Sequence, residues 1–150
     1  MAHLPILITI KNKQKDEEGQ EQVIKMTCEG RLYERGDKTV LVYREGEASG
    51  MENTLTTVSI FKDKDEVLLN RVGEHQMKMH FEAGNHHQTR MSTPFGSFDL
   101  NFTTQQLKLE RGGEKGRIEI HYALDFNHQK PLRNEIEILY KAKAARNAEG

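Results

Sequence analysis

The sequence predicts an all-β fold, an antiparallel up-and-down β-barrel of about 8–10 strands. Apolar and polar residues alternate with period two along nearly every segment, which is typical of strands that bury one face. Turn-forming residues interrupt these segments at short intervals, at 34–37, 62–65, 73–75, 84–85, 94–96 and 112–113. A meander of this kind must protect its edge strands, which closure into a barrel achieves; a two-sheet sandwich is the alternative.

The first strand is predicted at the apolar run from Leu4 to Ile10, which has neither the basic start nor the cleavage site of a signal peptide. The alternating apolar faces that follow are Ile24/Met26/Cys28/Leu32, Val58/Ile60, Val67/Leu69, Met77/Met79/Phe81, Phe98/Leu100/Phe102, Ile118/Ile120/Tyr122/Leu124/Phe126 and Ile136/Ile138/Tyr140. Residues 1–140 are expected to form one barrel domain, and the alanine-rich residues 141–150 a C-terminal tail.

One strand is predicted to be long and bent. Its apolar residues fall on even numbers up to Phe102 but on odd numbers at Leu107 and Leu109. A β-bulge between Thr103 and Gln106 would restore the inward facing, because a bulge adds one residue to one strand of a pair.

Composition excludes several classes of function. The 22 basic and 23 acidic residues leave a net charge of −1, which argues against a nucleic-acid partner because phosphate binding needs clustered Lys and Arg. Cys28 is the only cysteine, so an intrachain disulfide and a Cys-rich zinc site are excluded. No apolar run approaches the roughly 18 residues of a membrane span. A cytoplasmic protein without cofactor is therefore expected.

The turns predict a strand register that points arginines into the barrel. A three-residue loop at 94–96 pairs Arg90 with Leu100, and a two-residue loop at 84–85 pairs Arg90 with Met79. The loop at 73–75 places Arg71 beside Met77. The polar side chains that share the core face in this register are Arg71, Arg90, Gln88 and Ser92.

Inward arginines favour an acidic ligand, because a buried guanidinium needs a carboxylate, a water molecule or a ligand as its partner. A barrel of this size can enclose one small molecule, and the guanidinium fork matches carboxylate or phosphate. Glu45 is a possible ion-pair partner for either arginine. The candidate ligand-binding residues are Arg71, Arg90, Gln88, Ser92, Glu45 and Tyr43.

A one-residue slip at both turns is the alternative register. It would turn Thr89, Met91 and Thr93 inward and Arg90 outward, which the hydrophobic pattern alone prefers. Arg71 could also lie at the barrel mouth with its stem packed and its head in solvent.

The sequence also resembles the YwiB-like family of uncharacterised bacterial proteins. The residues that carry the resemblance are Tyr43-Arg44-Glu45, Gly50-Met51, Thr54, Arg71-Val72-Gly73, Phe81, Gly84, Thr93-Pro94-Phe95-Gly96, Thr103, Gly116, Tyr122, Leu124 and Asn134. They span about residues 6 to 140, and the Thr-Pro-Phe-Gly element is the most specific. The resemblance implies a calycin-like β-barrel, the architecture shared with lipocalins, and no established activity. Where the family is expected to have a tyrosine, this chain has Met91.

Other constellations are interpreted as structural. His80, His86 and His87 with Glu82 could bind a divalent ion, but an exposed group of this kind is more often ordinary surface, so no metal is predicted. No nucleophile elbow or phosphate loop is present, and Cys28 points to the core side of its strand.

Three functions remain open. The first is a non-enzymatic barrel that binds a small acidic or amphipathic molecule. The second is a protein-interaction module, possibly a homodimer, that uses outer-face residues such as Leu55, Phe61 and Leu68. The third is an enzyme of unknown reaction, because some calycin-like barrels have catalytic interiors.

Overall fold

A computed structural model describes residues 3–45, 51, 53–126 and 131–143. All regular secondary structure in these ranges is β-strand, which confirms the all-β class. The strands are β1 (Leu4–Lys15), β2 (Glu21–Arg35), β3 (Lys38–Arg44), β4 (Thr54–Phe61), β5 (Glu66–Gly73), β6 (Met77–Glu82), β7 (His86–Thr93), β8 (Gly96–Arg111), β9 (Lys115–Phe126) and β10 (Leu132–Ala142). The expected tail begins inside β10, and residues 144–150 lie outside the described ranges.

The ten strands form one antiparallel sheet in the order β6-β5-β4-β3-β2-β1-β10-β9-β8-β7. The two edge strands, β6 and β7, lie side by side along a line that we call the seam. Gln76 and Ser92 exchange two backbone hydrogen bonds of 2.9 Å across it, and Thr89 Oγ1 donates to the Lys78 carbonyl at 2.7 Å. The sheet therefore curls into a nearly closed barrel, which confirms the barrel over the sandwich.

The barrel interior is filled by the predicted apolar faces. Phe81, Phe102 and Tyr122 pack together near its centre, with ring centroids 5.2–6.1 Å apart. Phe81 and Phe102 are fully buried. Burial of such faces is the main force that favours the closed sheet over the unfolded chain.

The predicted β-bulge is confirmed. Thr104 pairs with Tyr122 and Gln106 with His121, so Gln105 is the additional residue in a strand that runs unbroken from Gly96 to Arg111. The bulge lets Leu100 and Leu107 both point toward the core despite their different parity.

The predicted register is correct at one turn and wrong at the next two. Arg71 pairs with Met77 as expected. Thr93 pairs with Gly96, however, so the 94–96 turn has a two-residue loop. Thr93 Oγ1 accepts from the Phe95 amide at 3.0 Å and donates to the Gly96 carbonyl at 3.1 Å, which stabilises this tighter turn.

The 84–85 turn also departs from a two-residue hairpin. The Gly84 amide donates to the Thr104 carbonyl at 2.8 Å, and the Asn85 carbonyl accepts from the Thr104 amide at 3.0 Å. The turn is thus bonded to β8, and β6 and β7 meet one residue out of the predicted register. Within the described ranges, no helix has the length and apolar character needed to cross a membrane.

Candidate functional site

A single row of inward-facing side chains crosses six consecutive strands at one end of the barrel. Tyr43 on β3 pairs with Thr56 on β4, and Thr56 pairs with Arg71 on β5. Arg71 pairs with Met77 on β6, and the Gln76–Ser92 bridge brings Met91 opposite Met77 across the seam. Met91 pairs in turn with Phe98 on β8. We call these residues the interior row: Tyr43, Thr56, Arg71, Met77, Met91 and Phe98.

Glu45 holds the polar half of this row together. It follows β3 directly, and its amide donates to the Thr54 carbonyl at 2.9 Å, which extends the β3–β4 ladder. Its Oε2 atom accepts a hydrogen bond from Thr56 Oγ1 and another from Arg71 Nε at 3.4 Å. The Glu45 side chain is 2% exposed and that of Arg71 is 15% exposed. The arginine predicted to point inward therefore does so, and its partner is the predicted carboxylate.

Burial and the nearby Glu45–Arg71 pair shift the pKa values of neighbouring tyrosine and cysteine groups. Burial, and then the negative charge of Glu45, raise the pKa of the Tyr43 hydroxyl, while Arg71 opposes the shift. The same two causes raise the pKa of the Cys28 thiol. Burial raises the pKa of Tyr122 to about 12, again against the influence of Arg71. All three groups are held in their neutral, protonated forms at neutral pH.

The other half of the row is apolar and accessible. Met77 and Met91 are partly buried against the core, and Phe98 is 38% exposed. Methionine side chains are flexible and polarizable, and they adapt to ligands of different shapes. The row thus offers a cation on β5 and a soft apolar surface on β6 to β8, which is the pattern that an amphipathic acid needs.

Three predicted site residues are not in the interior. Gln88, Arg90 and Ser92 occupy alternate positions on the outer face of β7, because that strand adopts the slipped register. Arg90 pairs there with Asp99 at 3.2 Å, and its side chain is 67% exposed. Burial of Met91 and Thr89 in place of these polar groups explains why the slipped register is favoured. Arg90, Gln88 and Ser92 are therefore removed from the candidate interior site.

Thr56, Met77, Met91 and Phe98 belong to the interior row but were not among the candidate residues. Thr56 has the same parity as Val58 and Ile60, so the alternation already indicated that it points inward. The position of Met91 opposite Met77 across the seam could not be predicted from the local sequence, because the pairing of β6 with β7 depends on the turn geometry at both ends.

A concavity lies on the outside of the barrel. It has a volume of about 840 Å³ and shares no residue with the interior row. Its walls come from β1, β2, β8, β9 and β10, and they include Leu7, Thr27, Arg117 and Leu139.

The outer-face residues expected to form an interaction patch are spread apart. Leu55 and Phe61 stand at opposite ends of β4, about 20 Å apart at roughly 3.3 Å per residue. Lys64 Nζ lies 4.6 Å from the centre of the Phe61 ring and covers it. Leu68 is partly buried beside its cross-strand partner His80.

These observations define the class of protein: a ten-stranded, nearly closed antiparallel β-barrel with a polarised interior row at one end. A family model described as a domain of unknown function, DUF1934, matches residues 8–138. The chain belongs to this family. It is similar to the uncharacterized β-barrel protein YwiB of Bacillus subtilis (strain 168), with 28% identity over 137 residues that cover 91% of this chain and 93% of YwiB.

The fold agrees with a solved structure. The crystal structure of the ywiB protein from Bacillus subtilis superposes with a TM-score of 0.82 and 25% identity, over 95% of this chain and 94% of that one. The resemblance predicted from the sequence is therefore confirmed.

Proposed function

We propose that the protein is a non-enzymatic binding barrel whose interior row receives the end of a small amphipathic acid. Arg71 binds the acidic head, and Met77, Met91 and Phe98 contact the apolar part. The calycin-like classification and a cytoplasmic location belong to the same proposal; the second is supported by the single cysteine, which leaves the fold independent of disulfides.

One observation carries the proposal: Arg71 is the charged member of an otherwise neutral row that changes from polar to apolar along its length. A guanidinium has five N–H donors. Glu45 engages Nε of Arg71 at 3.4 Å, and donors on the terminal nitrogens would bind an incoming carboxylate in a forked geometry. Glu45 keeps the arginine oriented in the absence of ligand, which lowers the entropic cost of binding.

The test is calorimetric titration of delipidated protein with dodecanoate, chosen as a probe acid, and with dodecanol as its uncharged analogue. Arg71→Met combined with Glu45→Gln removes the interior charges without leaving either one unpaired. Arg90→Met combined with Asp99→Asn removes the same two charge types from the outer wall and is the matched control.

We expect the wild-type protein to bind dodecanoate more tightly than dodecanol. The interior variant should lose about tenfold or more in dodecanoate affinity, because hydrogen bonds to charged groups contribute about 1.5–3 kcal/mol. The control variant should bind as the wild type does. Absence of binding, or equal losses in the two variants, would contradict the proposal.

The apolar half is tested separately with Met77→Ser and Met91→Ser. Each substitution should lower the affinities for dodecanoate and dodecanol by similar factors, because it removes a contact with the alkyl chain that the two probes share. A lower affinity for dodecanoate alone would mean that the alkyl chain does not contact Met77 and Met91.

A further inference from the structure

A second group of functional side chains lies outside the interior row, on the outer wall beside the seam. Glu66 begins β5, and His80 and Glu82 lie on β6. Each offers one ligand atom, and these atoms all lie within 4.8 Å of one another. The separation of His80 Nε2 from Glu66 Oε1 is 2.7 Å. Alternation places all three outside, because Val67, Met79 and Phe81 take the interior positions.

The two carboxylates are in an arrangement that favours a cation. Glu66 and Glu82 are direct cross-strand partners, and like charges at opposed positions destabilise a sheet. The nearby ammonium of Lys64 is 3.6 Å from Glu66 Oε2, and its side chain is about half exposed, so its compensation is screened by solvent. A divalent ion between the two carboxylates would remove the repulsion directly.

A second histidine approaches the cluster from the other side of the seam. His87 on β7 pairs with Phe102, and its ring centroid is 5.1 Å from that of His80. This pairing gives His87 the parity of the inward-facing Met91, which corrects the expectation that it belongs to an exposed group with His80 and His86. The Nε2 atom of His87 is buried and has no hydrogen-bond partner among the residues that the structure describes. A buried ring nitrogen without a partner is costly, and a metal ion is one of the groups that satisfies it.

We propose that Glu66, His80 and Glu82 form a binding site for a divalent transition-metal ion of the zinc type, and that the ring of His87 turns toward them so that its Nε2 becomes the fourth ligand. Two imidazoles and two carboxylates suit Zn²⁺ better than Mg²⁺, which prefers oxygen ligands and retains its waters. Metal–ligand distances of about 2.0–2.2 Å keep all ligand atoms of one ion within about 4.5 Å of each other, close to the spacing already present.

The ion would have a structural consequence. Glu66, His80 and Glu82 belong to one edge of the sheet, whereas His87 belongs to the other. A shared ion therefore links β5 and β6 to β7 and fastens the seam, which the backbone bridge at Gln76 and Ser92 closes only near its far end.

The experiment uses the full chain, with any affinity tag removed and bound metal stripped by chelator. Zn²⁺ affinity is measured by competition with a fluorescent chelator, and stoichiometry by native mass spectrometry. His80→Gln, Glu82→Gln and His87→Gln are compared with His121→Gln. His121 is a matched control because, like His80, it lies on the outer wall with its Nε2 close to a carboxylate; the distance to Glu119 Oε2 is 2.8 Å. Thermal melts in chelator confirm that each variant is folded.

We expect one Zn²⁺ per chain, a loss on the order of tenfold or more in His80→Gln and Glu82→Gln, and no change in His121→Gln. In His87→Gln the affinity should also fall, and Zn²⁺ should no longer slow amide exchange in β7. No Zn²⁺ binding by the wild type, or equal effects of His80→Gln and His121→Gln, would overturn the site. Unchanged affinity in His87→Gln would overturn its role as ligand and the fastening of the seam.

Discussion

Arg71 Nε lies 3.4 Å from Glu45 Oε2 inside the barrel, although the two residues are 26 positions apart in the chain. The contact forms because β3, β4 and β5 are antiparallel neighbours in the sheet. Thr56 on β4 lies between its cross-strand partners Tyr43 and Arg71, and Glu45 directly follows β3. Both charges are largely removed from bulk water on folding, and each has the other as its charged partner. The pair should therefore act as one energetic unit.

Removal of both charges should destabilise the protein by less than the two single removals added together. Breaking a buried pair leaves an unpaired charge and costs about 3–5 kcal/mol, and the partial exposure of Arg71 places our expectation near 2–3 kcal/mol for Arg71→Met or Glu45→Gln. The double variant should cost less than the sum of the two, with a coupling of about 1–2 kcal/mol. Urea unfolding of the four proteins measures this coupling, and additive losses would show that the two charges are independent.

Two fully buried threonines should respond oppositely to the same substitution. Thr56→Val removes the hydroxyl that donates to Glu45, so it should lower the free energy of unfolding by about 1–2 kcal/mol. Thr104 is equally buried, but its hydroxyl has no partner within the described part of the chain. Thr104→Val should therefore leave stability unchanged or raise it by about 1 kcal/mol. Chemical denaturation of both variants provides the comparison, and a loss in Thr104→Val of the same size as in Thr56→Val would contradict it.

Local pattern was sufficient for most of the fold, but of the six residues in the interior row only Tyr43 and Arg71 were predicted as site residues. Alternation identified the buried faces, and the change of parity between Phe102 and Leu107 predicted a bulge within 103–106, where the structure has it at Gln105. The resemblance to the YwiB-like family gave the barrel independently. The prediction of which side of β7 faces inward was wrong, because that side changes when the loop at the 94–96 turn is one residue shorter. The Thr93 hydroxyl stabilises the two-residue loop through two local hydrogen bonds, whereas the prediction considered only the turn preferences of Pro94 and Gly96.

Gly30 should not tolerate a side chain. An alanine Cβ there would lie 2.7 Å from both Ile8 Cδ1 and the Val42 carbonyl oxygen, beside the interior residue Tyr43. The backbone oxygen cannot move without disturbing the β2–β3 ladder, so Gly30→Ala should cost about 1–3 kcal/mol. Gly113→Ala is the control, because its Cβ would have no neighbour within 4 Å. Thermal unfolding should give a lower midpoint for Gly30→Ala alone. Equal midpoints would contradict the prediction, because they would mean that β2 and β3 make room for the added methyl group at no cost.

Substitutions at adjacent positions of β7 test which side faces the core. Arg90 forms an exposed pair with Asp99, so Arg90→Ala should change stability by no more than about 0.5 kcal/mol. Met91 packs partly buried against the core, so Met91→Ala should cost roughly 1–2 kcal/mol. Equilibrium denaturation ranks the two variants. The reverse ranking would restore the register in which Arg90 points inward.

Alkaline pH should destabilise the protein through Tyr122. The pKa of this hydroxyl is raised to about 12 by burial in the folded state and is about 10 in the unfolded chain. The unfolded state therefore loses its proton first as the pH rises, and the stability that is fully present below about pH 10 is lost progressively up to about pH 12. The loss should reach about 1.4 kcal/mol by pH 11, since one pKa unit corresponds to about that free energy. Tyr122→Phe should show a correspondingly smaller decrease in urea unfolding experiments between about pH 9 and pH 11, although Tyr43 and Tyr140, whose pKa values burial also raises, still contribute. An equal decrease in both proteins would show that the Tyr122 hydroxyl ionises in the folded state as readily as in the unfolded one.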